Sequence, residues 1–333
     1  KHGMEKPNTR PNEFELVSRY LEPLVLDQEA AACLKDDCAV FGVTAGHEVV
    51  ISVDTLMADL HFFKNDPPKQ IAQKVLRVNL SDIASSGAEP KFYFLAMSLP
   101  STIGLDWIEQ FCLGLGVDQA NFGISLLGGD TTSTPGPLSL TATVIGEVPQ
   151  GKAIRRGGAS EDEDVYLTGV IGDAALALSL IKTNGLDSVS EDFPVLLDRY
   201  RLPQPRTVLA PDLRQIASAC IDISDGLAAD LEHICTTSGI AADIKISWLP
   251  ISETARVLLR EDVRNWQTII SGGDDFELLF TAQPQFSNAI KMLSKEKNIQ
   301  INRIGKTKKG SGVHFFDPKG KHFPVKKSGW QHF

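Results

Sequence analysis

Short acidic motifs recur along the chain where apolar stretches end, and this pattern constrains the fold more than any other feature. In order they are KDDCA (35–39), SVDT (52–55), NLSDIA (79–84), GGDTT (128–132), DISDG (222–226) and SGGDDFELLF (271–280). Four of these six run from an apolar strand directly into a turn of Gly, Ser or Thr. Any one alone reads as a turn or helix cap, positions that favour Asp and Ser. Six that converge are another matter. Two like charges 4 Å apart cost about 1 kcal/mol in water and about 4 kcal/mol at an effective dielectric of 20. Such a cluster must be offset by cations or by raised pKa values. Hard oxygen ligands with no His or Cys among them favour Mg²⁺ over Zn²⁺. Several Mg²⁺ ions held by aspartates point to phosphoryl transfer, where metals neutralise developing charge.

The elements between the motifs alternate. A helical pattern covers about 12–25, and CAVFGV (38–43) and EVVISVDTL (48–56) read as strands rich in β-branched residues. Residues 67–87 read as a helix with Pro at its start and Gly at its end. A strand at 91–99, a helix at 105–122 and strands at 124–130 and 138–148 follow. The polar, Gly-rich segment 149–164 is the domain boundary, which gives domains 1–150 and 151–333. Beyond it lie a strand at VYLTG and helices near 172–184, 190–201, 206–217 and 226–238, with strands at ACIDIS, AADIKISWL, FELLFTA, INRIG and GVHFF. The series is not a clean βαβ repeat, so the expectation is α/β (α+β), two mixed domains. KTKKG (306–310) reads as a solvated loop.

With 333 residues the chain exceeds the range of one ordinary core. A net charge of −9 gives no electrostatic support to a nucleic-acid partner. The polar N-terminal stretch has no apolar core of a signal peptide, and no run reaches the roughly 20 apolar residues of a membrane span. The expected setting is the cytoplasm. Five cysteines without a C-x-x-C pair read as small buried hydrophobes. There is no G-x-x-x-x-G-K-[ST] loop and no protein-kinase signature set, so the nucleotide must be held in another way.

In order and spacing, KDDCA, SVDTLMADLHF, VNLSDIASSGAEP, LLGGDTT, IDISDGLAADL and SGGDDFELLF resemble the thiamine-monophosphate kinase family. That family shares a superfamily with aminoimidazole ribonucleotide synthetase, selenophosphate synthetase and a hydrogenase-maturation protein. The resemblance runs from about Glu13 to Phe333. It implies ATP-dependent phosphorylation of thiamine monophosphate to thiamine diphosphate. It also implies a homodimer paired through the N-terminal sheets and a site at the junction of the domains. Carried over, Asp37, Ser52, Val53, Asp54, Asp82, Asp130, Asp222 and Asp225 would surround Mg²⁺ ions. Gly129, Asp130, Arg156 and Ser224 would contact ATP, and His61, Asp274 and Trp330 the thiamine phosphate.

Three positions depart from the family pattern. Lys35 replaces the usual Gly, Val53 the usual Thr, so that only its backbone carbonyl can reach a metal, and Asp274 the usual Glu. No general base is required, because a phosphate monoester with a second pKa of about 6 is already an anion at pH 7. GGDDF (272–276) looks like a diguanylate cyclase motif, but no other feature of a cyclase accompanies it. Two alternatives stay open. One is another ATP-using enzyme of the superfamily, such as aminoimidazole ribonucleotide synthetase; the other is a non-catalytic nucleotide-binding dimer module. The chain ends in WQHF, without the terminal cysteine of a hydrogenase-maturation protein.

Overall fold

The computed structural model describes residues 10–325. The chain forms two compact units. The first runs up to Leu80 and resumes over Pro90–Glu147; the second takes Ser81–Glu89 and everything from Val148 onward.

In the first unit, α1 (Glu13–Leu16) continues as a tighter and looser succession of turns to Leu24, which accounts for the single helix expected over 12–25. Asn12 caps it, its side chain accepting the Glu15 N–H at 2.9 Å. A four-stranded sheet follows, in the order β1 (His47–Met57), β4 (Ser139–Pro149), β2 (Glu89–Pro100), β3 (Ser125–Thr134). Strands β2 and β3 are parallel, joined by α3 (Leu105–Phe122). Helix α2 (Pro68–Ser85) lies between β1 and β2 in sequence. Buried Asp118 of α3 ties α2 down, accepting from Arg77 Nε at 2.7 Å and Nη2 at 2.9 Å and from Gln73 at 3.0 Å. Because the charge is fully paired, it specifies one α2–α3 register rather than costing its full desolvation.

The strand expected at 38–43 does not form. Ala39 and Phe41 instead pack their side chains beside Phe92 and Phe94, and the Val40 N–H goes to the Ala30 carbonyl at 2.8 Å. Ala39 and Phe41 serve side-chain burial, Val40 and Val43 stay exposed, and among the described residues no strand pairs with this segment.

The second unit holds a seven-stranded mixed sheet, ordered β11 (His322–Phe323), β10 (Gly312–Phe316), β7 (Ala241–Lys245), β9 (Ile301–Lys308), β5 (Asp164–Thr168), β8 (Leu278–Ala282), β6 (Ala217–Asp222). The pair β7–β10 is parallel, and the rest are antiparallel. The KTKKG loop is partly strand, because β9 extends through Lys308. The helices are α4 (Asp173–Asn184), α5 (Leu186–Asp192), α6 (Pro194–Arg201), α7 (Ala210–Ile216), α8 (Leu227–Ser238), α9 (Glu253–Glu261), α10 (Asn265–Ser271) and α11 (Ser287–Lys297). The helix expected at 190–201 is therefore two, broken at Phe193 before Pro194, as proline's missing N–H and fixed φ require. No helix among the described residues is long and apolar enough to cross a membrane.

Candidate functional site

The first unit gathers two of the acidic motifs around one cavity. About 500 Å³ in volume, it is lined by Asp36, Asp37 and Cys38 on one side and by Gly128, Gly129, Asp130 and Thr131 on the other. Strand β3 reaches it through a bulge. Tyr93 faces Leu126 and Phe94 faces Gly128, so Leu127 is the extra residue and turns into the core beside Val25 and Ala31. Behind the bulge Gly129 has φ +156°, and a Cβ there would lie 1.9 Å from the Leu95 carbonyl oxygen. Only glycine permits this approach, and Asp130 follows it, exposed at the cavity.

Asp36 and Asp37 are presented by a strained turn. Ala32, Cys33 and Leu34 all hold left-handed φ values, +46°, +53° and +55°. For residues with a Cβ this costs about 1–2 kcal/mol each, and nothing in Ala-Cys-Leu announces it. Lys35 ends the turn with φ −108° and pairs loosely with Glu22 at 3.8 Å, so it does not neutralise Asp37 through a close contact. Cys220 and Cys235 are buried as the sequence suggests, but Cys38 is exposed, because it sits on the rim beside Asp37.

Strand alternation divides SVDT. Val53 is 56% exposed on the outward row of β1 with Val49 and Ile51. Ser52 and Asp54 are half-buried on the opposite side, where Ser52 Oγ reaches Asn79 of α2 at 3.4 Å. His61 follows in a turn that it fixes itself: its Nδ1 accepts the Met57 N–H at 3.0 Å, which assigns the ring proton to Nε2. Its carbonyl accepts from the buried Lys74 at 3.1 Å.

The second unit brings two further motifs together, DISDG and SGGDDFELLF. Ile223 N–H donates to the Glu277 carbonyl, Phe276 N–H to that of Ile223 and Asp274 N–H to that of Ser224, at 2.9, 2.8 and 2.8 Å. DISDG and GGDDFE thus form one interlocked pair of loops carrying Asp222, Ser224, Asp225 and Asp274. Gly273, at φ +74°, lets them close, since a Cβ there would stand 2.2 Å from the Ser224 carbonyl oxygen. Asp274 itself has φ +64°, which Asp tolerates better than most residues. Asp82 lies in the last turn of α2, next to Ser81, whose Oγ contacts the Phe276 carbonyl at 3.5 Å. Arg156 is exposed in the segment after β4, while the neighbouring Arg155 carbonyl accepts from Cys220 of β6 at 3.0 Å. Trp330 lies outside the described residues.

Among the groups that hold these loops, sequence reasoning missed Asp230 and Glu277 and read Asp275 as a turn former or supporting residue. Asp230 of α8 accepts three backbone N–H groups, from Ser224, Asp225 and Gly226, on a single oxygen. Burial, with the Asp225 charge next, lifts its carboxyl to about 7 against the pull of those donors. Glu277, fully buried, accepts from Arg199 at 2.8 Å, from Arg206 Nε at 2.6 Å and from Thr168 at 2.7 Å. Asp275 is buried as well; its Oδ1 accepts the Gly172 N–H at 2.8 Å, and its Oδ2 has no hydrogen-bond partner. Burial raises its carboxyl well above the ordinary range. Asp275 and Glu277 stand in the acidic run GGDDFE and Asp230 in IDISDGLAADL, and nothing else in the sequence marks their role.

Among the described residues no three His, Cys, Asp or Glu side chains are gathered closely enough to hold a metal ion by themselves. Mg²⁺ takes one or two protein carboxylates and completes its shell from substrate phosphates and water. The exposed carboxylates of Asp37 and Asp130 beside the Gly128–Gly129 cradle are such a partial, all-oxygen donor set.

Two family models match the chain: AIR synthase related protein, N-terminal domain, over residues 35–148, and AIR synthase related protein, C-terminal domain, over 160–317. The thiamine-monophosphate kinase of Caulobacter vibrioides is 37% identical over 325 residues, covering 97% of this chain and 91% of the relative. The chain belongs to the thiamine-monophosphate kinase family. A crystal structure of that kinase from Stenotrophomonas maltophilia superposes with a TM-score of 0.80 at 38% identity, over 87% of this chain and 91% of the other. AaThiL complexed with AMPPCP and TMP superposes with a TM-score of 0.75 at 25% identity, over 88% and 89%. For a kinase of this family the interlocked loops and the Gly128–Asp130 bulge are the parts of the fold that place carboxylates at defined positions.

Proposed function

We propose that the chain is an ATP-dependent kinase that phosphorylates thiamine monophosphate to thiamine diphosphate, the last step in making that cofactor. The observation that carries this reading is the near-full-length likeness to thiamine-monophosphate kinases, one of them complexed with an ATP analogue and TMP.

In the reaction, an oxygen of the acceptor phosphate attacks the γ-phosphorus of ATP. The bond from that phosphorus to the β,γ-bridging oxygen breaks, and ADP leaves with the electron pair. Near pH 7 the attacking oxygen is already ionised, so no residue has to remove a proton. What the protein supplies is alignment and relief of repulsion between two anions.

In the first unit Asp37, Ser52, the Val53 carbonyl, Asp54 and Asp130 would hold Mg²⁺; in the second, Asp82, Asp222 and Asp225 would. Bound there, Mg²⁺ would neutralise phosphate charge. Gly129 and Asp130, with Arg156 and Ser224, would meet the nucleotide. Arg156 is exposed and its guanidinium suits two-pronged contact with phosphate oxygens. His61 would offer its Nε2–H as a donor to the thiamine phosphate, with Asp274 and Trp330 as further contacts. In the proposed arrangement residues 1–150, Asp82 among them, are the ATP, metal and dimerisation domain, and 151–333 the domain that completes the site.

A homodimer paired through β1 and its sheet is part of the proposal. Val49, Ile51 and Val53 form an apolar row 38%, 60% and 56% exposed, more than a lone monomer's strand ordinarily leaves to water. The proposed setting is the cytoplasm.

The test is stoichiometry. Purified protein with MgATP and thiamine monophosphate should release ADP and thiamine diphosphate in equal amounts. ADP release without thiamine diphosphate, or only with a different phosphate acceptor, would move the chain to another activity of the superfamily.

A further inference from the structure

None of the six acidic motifs contributes to a second cavity, about 640 Å³, in the second unit. Its floor is one face of the sheet. Lys306 of β9 stands opposite both Asp164 of β5 and Asp243 of β7, and Phe316 of β10 opposite Lys245 of β7. Residues directly opposite in a ladder share a face, so these five side chains project together. The turn Ile246–Trp248 after β7 adds Trp248, and the turn at 317–320 forms the rim.

The charges here are unequally committed. Asp164 pairs with Arg303 at 3.3 Å and Asp243 with Lys308 at 2.6 Å. Asp317 Oδ1 accepts the N–H groups of Lys319 and Lys321, both at 2.9 Å. All three lining carboxylates therefore have internal partners. The cations are held more loosely. Lys306 pairs with Asp162, whose side chain is 86% exposed, and such a surface pair is worth about 1 kcal/mol at most. Lys245 Nζ rests 4.1 Å from the centre of the Trp248 ring, and Arg303 Cζ 4.9 Å from it. A cation can leave an indole for a phosphate at a small loss, since an exposed contact of this kind contributes about 0.5–1 kcal/mol.

Cations already stacked on the indole oppose a positively charged ring and attract an anion. The volume lies in the range that takes a small organic ligand. From this geometry we propose a second ligand site for a nucleotide-like phosphate ester. Its flat uncharged ring would lie against Phe316 and Trp248, and its phosphate would meet Lys245 and Lys306. This site does not depend on the kinase reading, since it shares no residue with the acidic motifs.

The experiment is calorimetric titration of the full chain with adenosine monophosphate in EDTA, which removes the Mg²⁺ that the acidic motifs need to hold phosphates. Inorganic phosphate and adenosine are titrated separately. The double variant Lys245→Gln/Lys306→Gln changes two exposed side chains, and its melting curve should match the parent's. Saturable binding of the monophosphate is expected. It should be weakened about tenfold or more in the variant, as loss of charge-assisted phosphate contacts requires, with both fragments binding more weakly than the whole. Turnover without added monophosphate should be the same in parent and variant. No saturable binding to the parent, equal binding to the variant, or a fragment that binds as tightly as the monophosphate would each overturn the proposal.

Discussion

Asp230 Oδ2 lies 3.1 Å from the Asp225 backbone nitrogen, and at the same distance from those of Ser224 and Gly226. One carboxylate oxygen, placed by the first turns of α8, thus sets the backbone path of the loop that carries two proposed metal ligands. Asp230→Ala leaves three donors facing an empty volume. A buried unsatisfied group costs about 1–3 kcal/mol, so the fold should survive while the loop loses its shape. The expected result is a fall in kcat of tenfold or more, with Asp230→Asn, which keeps an oxygen, intermediate. Steady-state kinetics at saturating MgATP check this, and an unchanged kcat in Asp230→Ala would show that the loop is held by other means.

Glu277 faces two guanidinium groups and the Thr168 hydroxyl in a fully buried setting. Glu277→Gln leaves Arg199 and Arg206 without their counter-charge. Breaking a buried pair in this way costs about 3–5 kcal/mol. Urea denaturation should show that loss, with the midpoint displaced and the slope unchanged.

Gly129→Ala pushes a methyl group into the Leu95 carbonyl, at 1.9 Å from its oxygen. The β2–β3 bulge cannot relax without moving Asp130. The variant should lose ATP binding altogether in equilibrium titration, even where soluble protein is recovered.

The buried Asp275 gives a pH signature of definite sign. Its carboxyl is raised above the usual value in the folded chain, by burial first. Between its unfolded value near 3.9 and its raised folded value, the folded state binds more protons. Its contribution is therefore fully present below about pH 4 and is lost as pH rises. Asp275→Asn keeps the acceptor for the Gly172 N–H and removes the ionisation. Relative to the parent, the variant's melting temperature should improve from pH 5 to pH 8. A variant-minus-parent difference that stays constant or falls over that range would contradict the assignment.

For the proposed dimer, Ile51→Lys places a charge in the exposed apolar row of β1. Light scattering should report a dimer for the parent and a monomer for the variant.

Much of this was legible in the sequence, for identifiable reasons. Apolar runs bounded by Gly and Pro located both the helix Pro68–Ser85 and the strand Glu89–Pro100 to within a few residues. The aspartates announced themselves through their Gly and Ser neighbours. What was not legible depends on three-dimensional placement. Ala39 and Phe41 look like strand residues because burial and pairing favour the same side chains, and only the absence of an adjacent strand separates the two cases. The left-handed turn at Ala32–Leu34 has no compositional mark. Arg199, Arg206 and Asp230 are distant in sequence from, or look ordinary beside, the groups they fix.

The most direct measurement follows thiamine diphosphate by chromatography after mixing the protein with ATP and thiamine monophosphate, with Mg²⁺ or with EDTA, for the parent and for Asp82→Asn and Asp130→Asn. The account predicts product that requires Mg²⁺ and falls about a hundredfold or more in each variant, as loss of a charged ligand worth a few kcal/mol implies. Undiminished product in EDTA, or in both aspartate variants, would contradict it.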